Sequence, residues 1–112
     1  MRETALMTNG VLTEEPVAMP SLDGRVVRDL LITNKRGLHA RASAKFVQTV
    51  EEFDAEVEVT KDNQTVGGTS IMGLMMLAAC PGSTIRVCAS GPDASQALAA
   101  ISNLVQAKFH EE

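Results

Sequence analysis

The chain has 112 residues, 45% of them apolar, a net charge of -4, no Trp or Tyr and only three Phe. That is the length of one domain, with enough Ala, Val, Leu, Ile and Met for a core. The acidic balance argues against non-specific binding to nucleic-acid phosphates, and the shortage of stacking aromatics argues against single-strand binding.

Residues 1–27 mix Thr, Glu, Pro, Asn and Gly without strand or helix periodicity, and Pro16, Pro20 and Gly24 punctuate them. They are expected to form a flexible N-terminal extension ahead of a domain over 28–112. The segment lacks the continuous apolar stretch of a secretory signal. The longest apolar run, IMGLMMLAAC, has ten residues, short of the roughly 18 to 20 that a bilayer requires. Without an export signal, Cys80 and Cys88 are expected as reduced thiols, and their spacing makes no zinc site. A cytoplasmic protein with no membrane insertion and no metal is the expectation.

From Arg28 the pattern sharpens. RDLLITN is a short apolar strand. HARASAKFVQTVEEF places Phe46, Val47, Val50 and Phe53 at helical spacing. AEVEVTKD alternates, with Ala55, Val57 and Val59 inward and Glu56, Glu58 and Thr60 outward. Asp62-Asn63 is a turn signal leading into QTVGG, the second strand of a hairpin, ended by Gly67-Gly68. SIMGLMMLAA is a short helix stopped by Pro81-Gly82. TIRVCAS alternates again, with Ile85, Val87 and Ala89 on one face. Ala94, Ala97, Leu98, Ile101, Leu104 and Val105 make a long amphipathic helix, with Asp93 as its N-cap. His110 falls in a terminus expected to fray. The order βαββαβα predicts an α/β sandwich of two layers, one sheet with its helices on a single face.

NKRGLHARASAKFV, Asn34 to Val47, carries the chemistry. It surrounds His39 with Lys35, Arg36, Arg41 and Lys45, and no acid occurs between Asp29 and Glu51. The helix starts near Ala40 without a Ser, Thr, Asp or Asn ahead of it, so its first N–H groups are open to an anion. Gly37 permits the sharp turn that presents the imidazole. Arg41 can aim its guanidinium at the same anion. The cations and the positive helix end favour a neutral, nucleophilic ring that can take a phosphoryl group. No carboxylate lies near His39 in sequence to activate water, which sets this pattern apart from a hydrolase. The plainer reading is a surface histidine beside a solvated basic stretch.

NKRGLHARASAKFV resembles the active-site segment of HPr, the family of histidine-containing phosphocarriers of the bacterial phosphotransferase system. GGTSIMGLMMLAA resembles the family's regulatory serine segment. The similarity runs from about Arg28 to Phe109. It implies an open-faced β-sandwich in which four antiparallel strands are covered by three helices. It implies that His39 accepts a phosphoryl group on Nδ1 from enzyme I, with phosphoenolpyruvate as ultimate donor, and passes it to an EIIA-type acceptor. Arg41 corresponds to the family's active-site arginine. Such a protein is a stoichiometric carrier, not a turnover enzyme, needs no cofactor and is expected to be a monomer. Many members have proline after that arginine. This chain has Ala42, which restores a backbone donor in the first turn.

Ser70 opens the short helix and reads as an N-cap. The resemblance adds that it matches the serine phosphorylated by HPr kinase/phosphorylase. The two roles are compatible, because a phosphate suits a helix N-terminus. Leu74 and Leu77 fit a core, whereas Ile71, Met72 and Met75 are expected as an exposed partner-binding patch, with Lys45 drawing an acidic partner surface. A purely regulatory binding module is the competing class. A small phosphatase is another, which would need a water-activating base.

Overall fold

Alternation decides the sheet. In EVEVTK and TIRVCAS every second side chain points the same way, and that set is shut in: Val57, Val59, Ile85, Val87 and Ala89 are all buried. A computed structural model describes residues 25–111; the expected extension lies, up to position 24, outside the described residues. The elements run β1 (Val26–Leu31), α1 (Ala40–Glu51), β2 (Glu56–Lys61), β3 (Gln64–Gly67), α2 (Ile71–Met76), β4 (Thr84–Ser90) and α3 (Ala94–Gln106), closed by a single helical turn at Lys108–His110.

The four strands form one antiparallel sheet in the order β1-β4-β2-β3. The β2–β3 hairpin turns at Asp62 and Asn63, whose φ values of 51° and 73° are those of a tight turn that suits the strand twist. All three helices pack on one side, α3 over β1 and β4, with α1 between α2 and α3. The other side is polar. Glu56, Glu58, Asp29 and Arg86 are exposed there, and Arg86 bonds Asp29 across the β1–β4 register at 2.9 and 3.3 Å. This is the two-layer sandwich that the element order predicts and the open-faced form that the resemblance implies.

Between the layers, α1 contributes Ala42, Phe46, Val47 and Val50, and α3 contributes Ala94, Ala97, Leu98, Ile101, Leu104 and Val105. Among the described residues no helix is long and apolar enough to cross a membrane.

Four local expectations change. β1 starts at Val26, ahead of the expected boundary at residue 28: Val26 pairs with Ala89 and Val27 with Cys88. The β-branched pair extends the ladder, so both valines belong to the sheet. Helix α2 ends at Met76, well before Pro81-Gly82. The chain turns at Ala78, with φ 54°, so that the carbonyl of Ala79 can accept from Leu38 N–H at 3.0 Å. Asp93 occupies the N-cap position of α3 but makes no side-chain cap bond; its carboxylate instead accepts from the backbone N–H of Asp54 at 2.8 Å. The C-terminal turn is anchored, not frayed. Phe109 is fully buried in the core, which at about 1.5 to 3 kcal/mol for a large apolar side chain offsets the left-handed backbone of Lys108, Phe109 and His110.

Candidate functional site

His39 is the N-cap residue of α1, and no side chain caps that helix end. The first intrahelical bond is Ser43 N–H to the carbonyl of His39 at 2.8 Å. The N–H groups of Ala40, Arg41 and Ala42 precede it and have no carbonyl within the helix to reach. Ala42 thus adds a donor that a proline there would lack.

The loop into this helix is built by short-range bonds. Asn34 Nδ2 donates to the carbonyl of Gly37 at 2.9 Å. Gly37 N–H returns a bond to Asn34 O at 3.2 Å, Ser43 Oγ donates to Leu38 O at 3.2 Å, and Leu38 is buried. Gly37 has φ +63°, and a Cβ there would lie 2.2 Å from the carbonyl oxygen of Ala79. Both the turn and the close approach of the two loops therefore require glycine.

Lys35, Arg36, His39, Arg41, Lys45, His110 and Glu111 line an open pocket of about 450 Å³. All four cations singled out from the sequence meet there, as does His110, which sequence reasoning set aside. Arg41 is exposed at the pocket edge. Lys45 is half-buried, and its ammonium donates to the carbonyl of Phe109 at 2.6 Å. It therefore ties down the C-terminal turn from inside the pocket as well as offering positive charge.

Glu111 is the residue that sequence reasoning missed. Its Oε2 pairs with His39 Nε2 and its Oε1 accepts from Asn34 Nδ2 at 3.0 Å. Burial pushes its carboxyl up. The hydrogen bonds from Asn34 and His39 and the positive charges of His39 and Lys45 outweigh that and hold it below the ordinary carboxylate range. The expectation that no carboxylate stands near His39 is thus corrected. Sequence distance hid it: position 111 reaches position 39 only because Phe109 docks in the core. The carboxylate also offsets part of the positive field that was expected to keep the ring neutral. It does not supply a free water-activating base, because one oxygen is engaged by Asn34 and the other by the ring. With Nε2 so occupied, and the side chain 21% exposed, Nδ1 is the nitrogen left for an incoming group.

The second singled-out region is α2. Ser70 is its N-cap and is exposed, and its Oγ accepts from Gly73 N–H at 2.9 Å. Leu74 and Leu77 are buried as expected. Ile71, Met72 and Met75 are exposed, and Met76, at 68%, joins them. Cys80 and Cys88 are free thiols.

Comparison with known proteins gives the family and agrees with the fold. The family described as "PTS HPr component phosphorylation site" matches residues 26–107. Phosphocarrier protein HPr of Neisseria meningitidis serogroup A is 51% identical over 80 residues, 71% of this chain and 90% of that protein. Phosphocarrier protein NPr of Shewanella violacea is 42% identical over 87 residues, 78% of this chain and 96% of that protein. The crystal structure of HPr-C-His from Thermoanaerobacter tengcongensis superposes with a TM-score of 0.74 at 42% identity, covering 77% of this chain and 97% of that one.

Proposed function

The chain belongs to the HPr family of phosphocarriers of the phosphotransferase system, and from that premise we propose that His39 is its phosphoryl acceptor. Phospho-enzyme I, charged from phosphoenolpyruvate, delivers the group to Nδ1. An EIIA-type domain of the sugar or nitrogen-related branch removes it. The carrier works in the cytoplasm and turns nothing over on its own. The observation that carries this reading is the open N-terminus of α1, with His39 as its N-cap and Lys35, Arg36, Arg41 and Lys45 around it.

The chemistry follows from the residues. The Nδ1 lone pair attacks phosphorus in line with the leaving bond. Arg41 and the free N–H groups of the first helical turn meet the equatorial oxygens, where charge is spread in the transition state. Glu111 faces the positive charge that the ring acquires. The exposed Ile71, Met72 and Met75 dock the partner, and Lys45 and Arg41 attract its acidic groups.

Ser70 is the regulatory site for HPr kinase/phosphorylase in this reading. A phosphate adds about -1.5 to -2 charges beside an apolar docking patch. Burying that charge against enzyme I is unfavourable, while the helix N-terminus tolerates it. Incubation with enzyme I and phosphoenolpyruvate, followed by intact mass measurement, tests the central step. Wild type should gain one phosphoryl group and His39→Ala none; a gain in His39→Ala would refute the assignment.

A further inference from the structure

We propose that Asn34 is a positioning residue that sets which nitrogen of His39 is the nucleophile, acting through Glu111. This rests on the reading of His39 as the phosphoryl acceptor. Asn34 is fully buried. Its Nδ2 donates to two oxygens, the carbonyl of Gly37 at 2.9 Å and Glu111 Oε1 at 3.0 Å. Its Oδ1, equally buried, has no hydrogen-bond partner among the described residues. Turning the amide over would set Oδ1 against two acceptors, so both donor bonds together dictate its orientation. A buried amide that leaves its own oxygen unpaired in order to hold two others is committed to those two contacts.

One of those contacts shapes the loop before α1, and the other aims a carboxylate. Held by Asn34, Glu111 presents Oε2 to His39 Nε2. A carboxylate only accepts, so the neutral ring keeps its proton on Nε2 and its lone pair on Nδ1. In the transfer step that lone pair forms the N–P bond. The bond from phosphorus to the donor's leaving atom breaks, and its electron pair goes to that atom. The ring retains Nε2–H and becomes positive, facing Glu111. Loss of Asn34 frees the carboxylate to leave, and the proton then distributes over both nitrogens.

Two readouts on the full chain test this. The first is ¹⁵N NMR of the unphosphorylated His39 ring at mildly alkaline pH. Wild type should hold the Nε2–H form; Asn34→Ala and Glu111→Ala should both shift toward the Nδ1–H form. The second is a double-mutant cycle on the rate of phosphorylation by enzyme I. Asn34→Ala should slow transfer roughly tenfold, the scale of one charge-assisted hydrogen bond, and should add less than about twofold when Glu111 is already alanine. An unchanged ring in Asn34→Ala, or an equal slowing in both backgrounds, overturns the proposal and leaves Asn34 as a loop brace. Should Asn34→Ala fail to fold, Asn34→Asp, which keeps the size of the side chain and removes the donor that Glu111 accepts from, takes its place: the same shift of the ring toward Nδ1–H supports the proposal, and an unchanged ring overturns it. Should wild type take no phosphoryl group, the reading of His39 fails, while the ring spectra still report whether Asn34 acts through Glu111.

Discussion

Two helix starts lie on the same side of the sheet, and they are finished differently. At α2 the hydroxyl of Ser70 closes on Gly73 N–H within its own turn, and the surroundings are Ile71, Met72, Met75 and Met76. At α1 the N-cap is His39, no side chain closes on the helix N–H groups, and the surroundings are Lys35, Arg36, Arg41 and Lys45. The first end is complete and apolar. The second is open, basic and finished from elsewhere, by the C-terminal turn that brings Glu111 to the ring. A capped end offers a surface, whereas an uncapped one offers donors and field to an anion. The proposed division, docking at the one and chemistry at the other, rests on that difference.

The largest expected effect separates the two ends by removing what finishes the second, the start of α1. Phe109→Ala empties a fully buried position and should lower unfolding free energy by about 3 to 5 kcal/mol. It should also loosen Glu111 from His39, seen as a changed His39 ring signal, with the Ser70 cap intact. A change of Tm with an unaltered His39 signal would show that the C-terminal turn and the site are independent. Arg41→Ala comes next. Its side chain is exposed at the pocket and serves no core contact, so phosphoryl transfer should weaken by roughly 1.5 to 3 kcal/mol, one charge-assisted contact, with Tm held. A fall in Tm at unchanged rate would reverse that assignment.

Ser70 sharpens the comparison from the other side. Ser70→Ala removes the cap and should cost about 1 kcal/mol of stability, read as a lower Tm, with little effect on His39 itself. Ser70→Asp keeps an acceptor at the cap and should melt near wild type, yet slow phosphorylation by enzyme I. Identical rates for wild type, Ser70→Asp and Ser70→Ala would leave Ser70 a cap alone.

The smallest effect is the response to acid. The carboxyl of Glu111 is held below its ordinary range, so its contact adds stability in full at neutral pH, above the unfolded value. That contribution is lost as pH falls through the lowered folded value. The Tm difference between wild type and Glu111→Gln should therefore close on acidification. The difference for Ser70→Ala, an uncharged cap, should not follow it. A gap for Glu111→Gln that is constant with pH would contradict a carboxylate held ionised by these contacts.

Local rules made most of this legible. Period-two alternation located β2 and β4, helical spacing located α1 and α3, and the absence of a cap before Ala40 marked the open helix end. Ile71, Met72 and Met75 were readable as exposed because a helix of that length cannot bury so many large side chains on one face. What escaped was set by contacts between distant positions. Glu111 meets His39, and Asn34 meets Glu111, only through the docking of Phe109 and the loop bonds at Gly37. Asp93 carries a cap signature, yet the backbone of Asp54 in the neighbouring loop takes its carboxylate. Gly24 and Pro20 just upstream place Val26 and Val27 with the extension by local pattern, although the register with β4 claims both.

The difference between the two helix ends is tested most directly by the chemistry of the label acquired from enzyme I and phosphoenolpyruvate. A phosphoryl group on an imidazole is lost in acid and survives base; one on a serine hydroxyl withstands acid. We expect an acid-labile, base-stable label that maps to the peptide containing His39 and disappears in His39→Ala but not in Ser70→Ala. An acid-stable label on the peptide containing Ser70, or a label that persists in His39→Ala, would place the transfer chemistry at the wrong helix end and contradict the account.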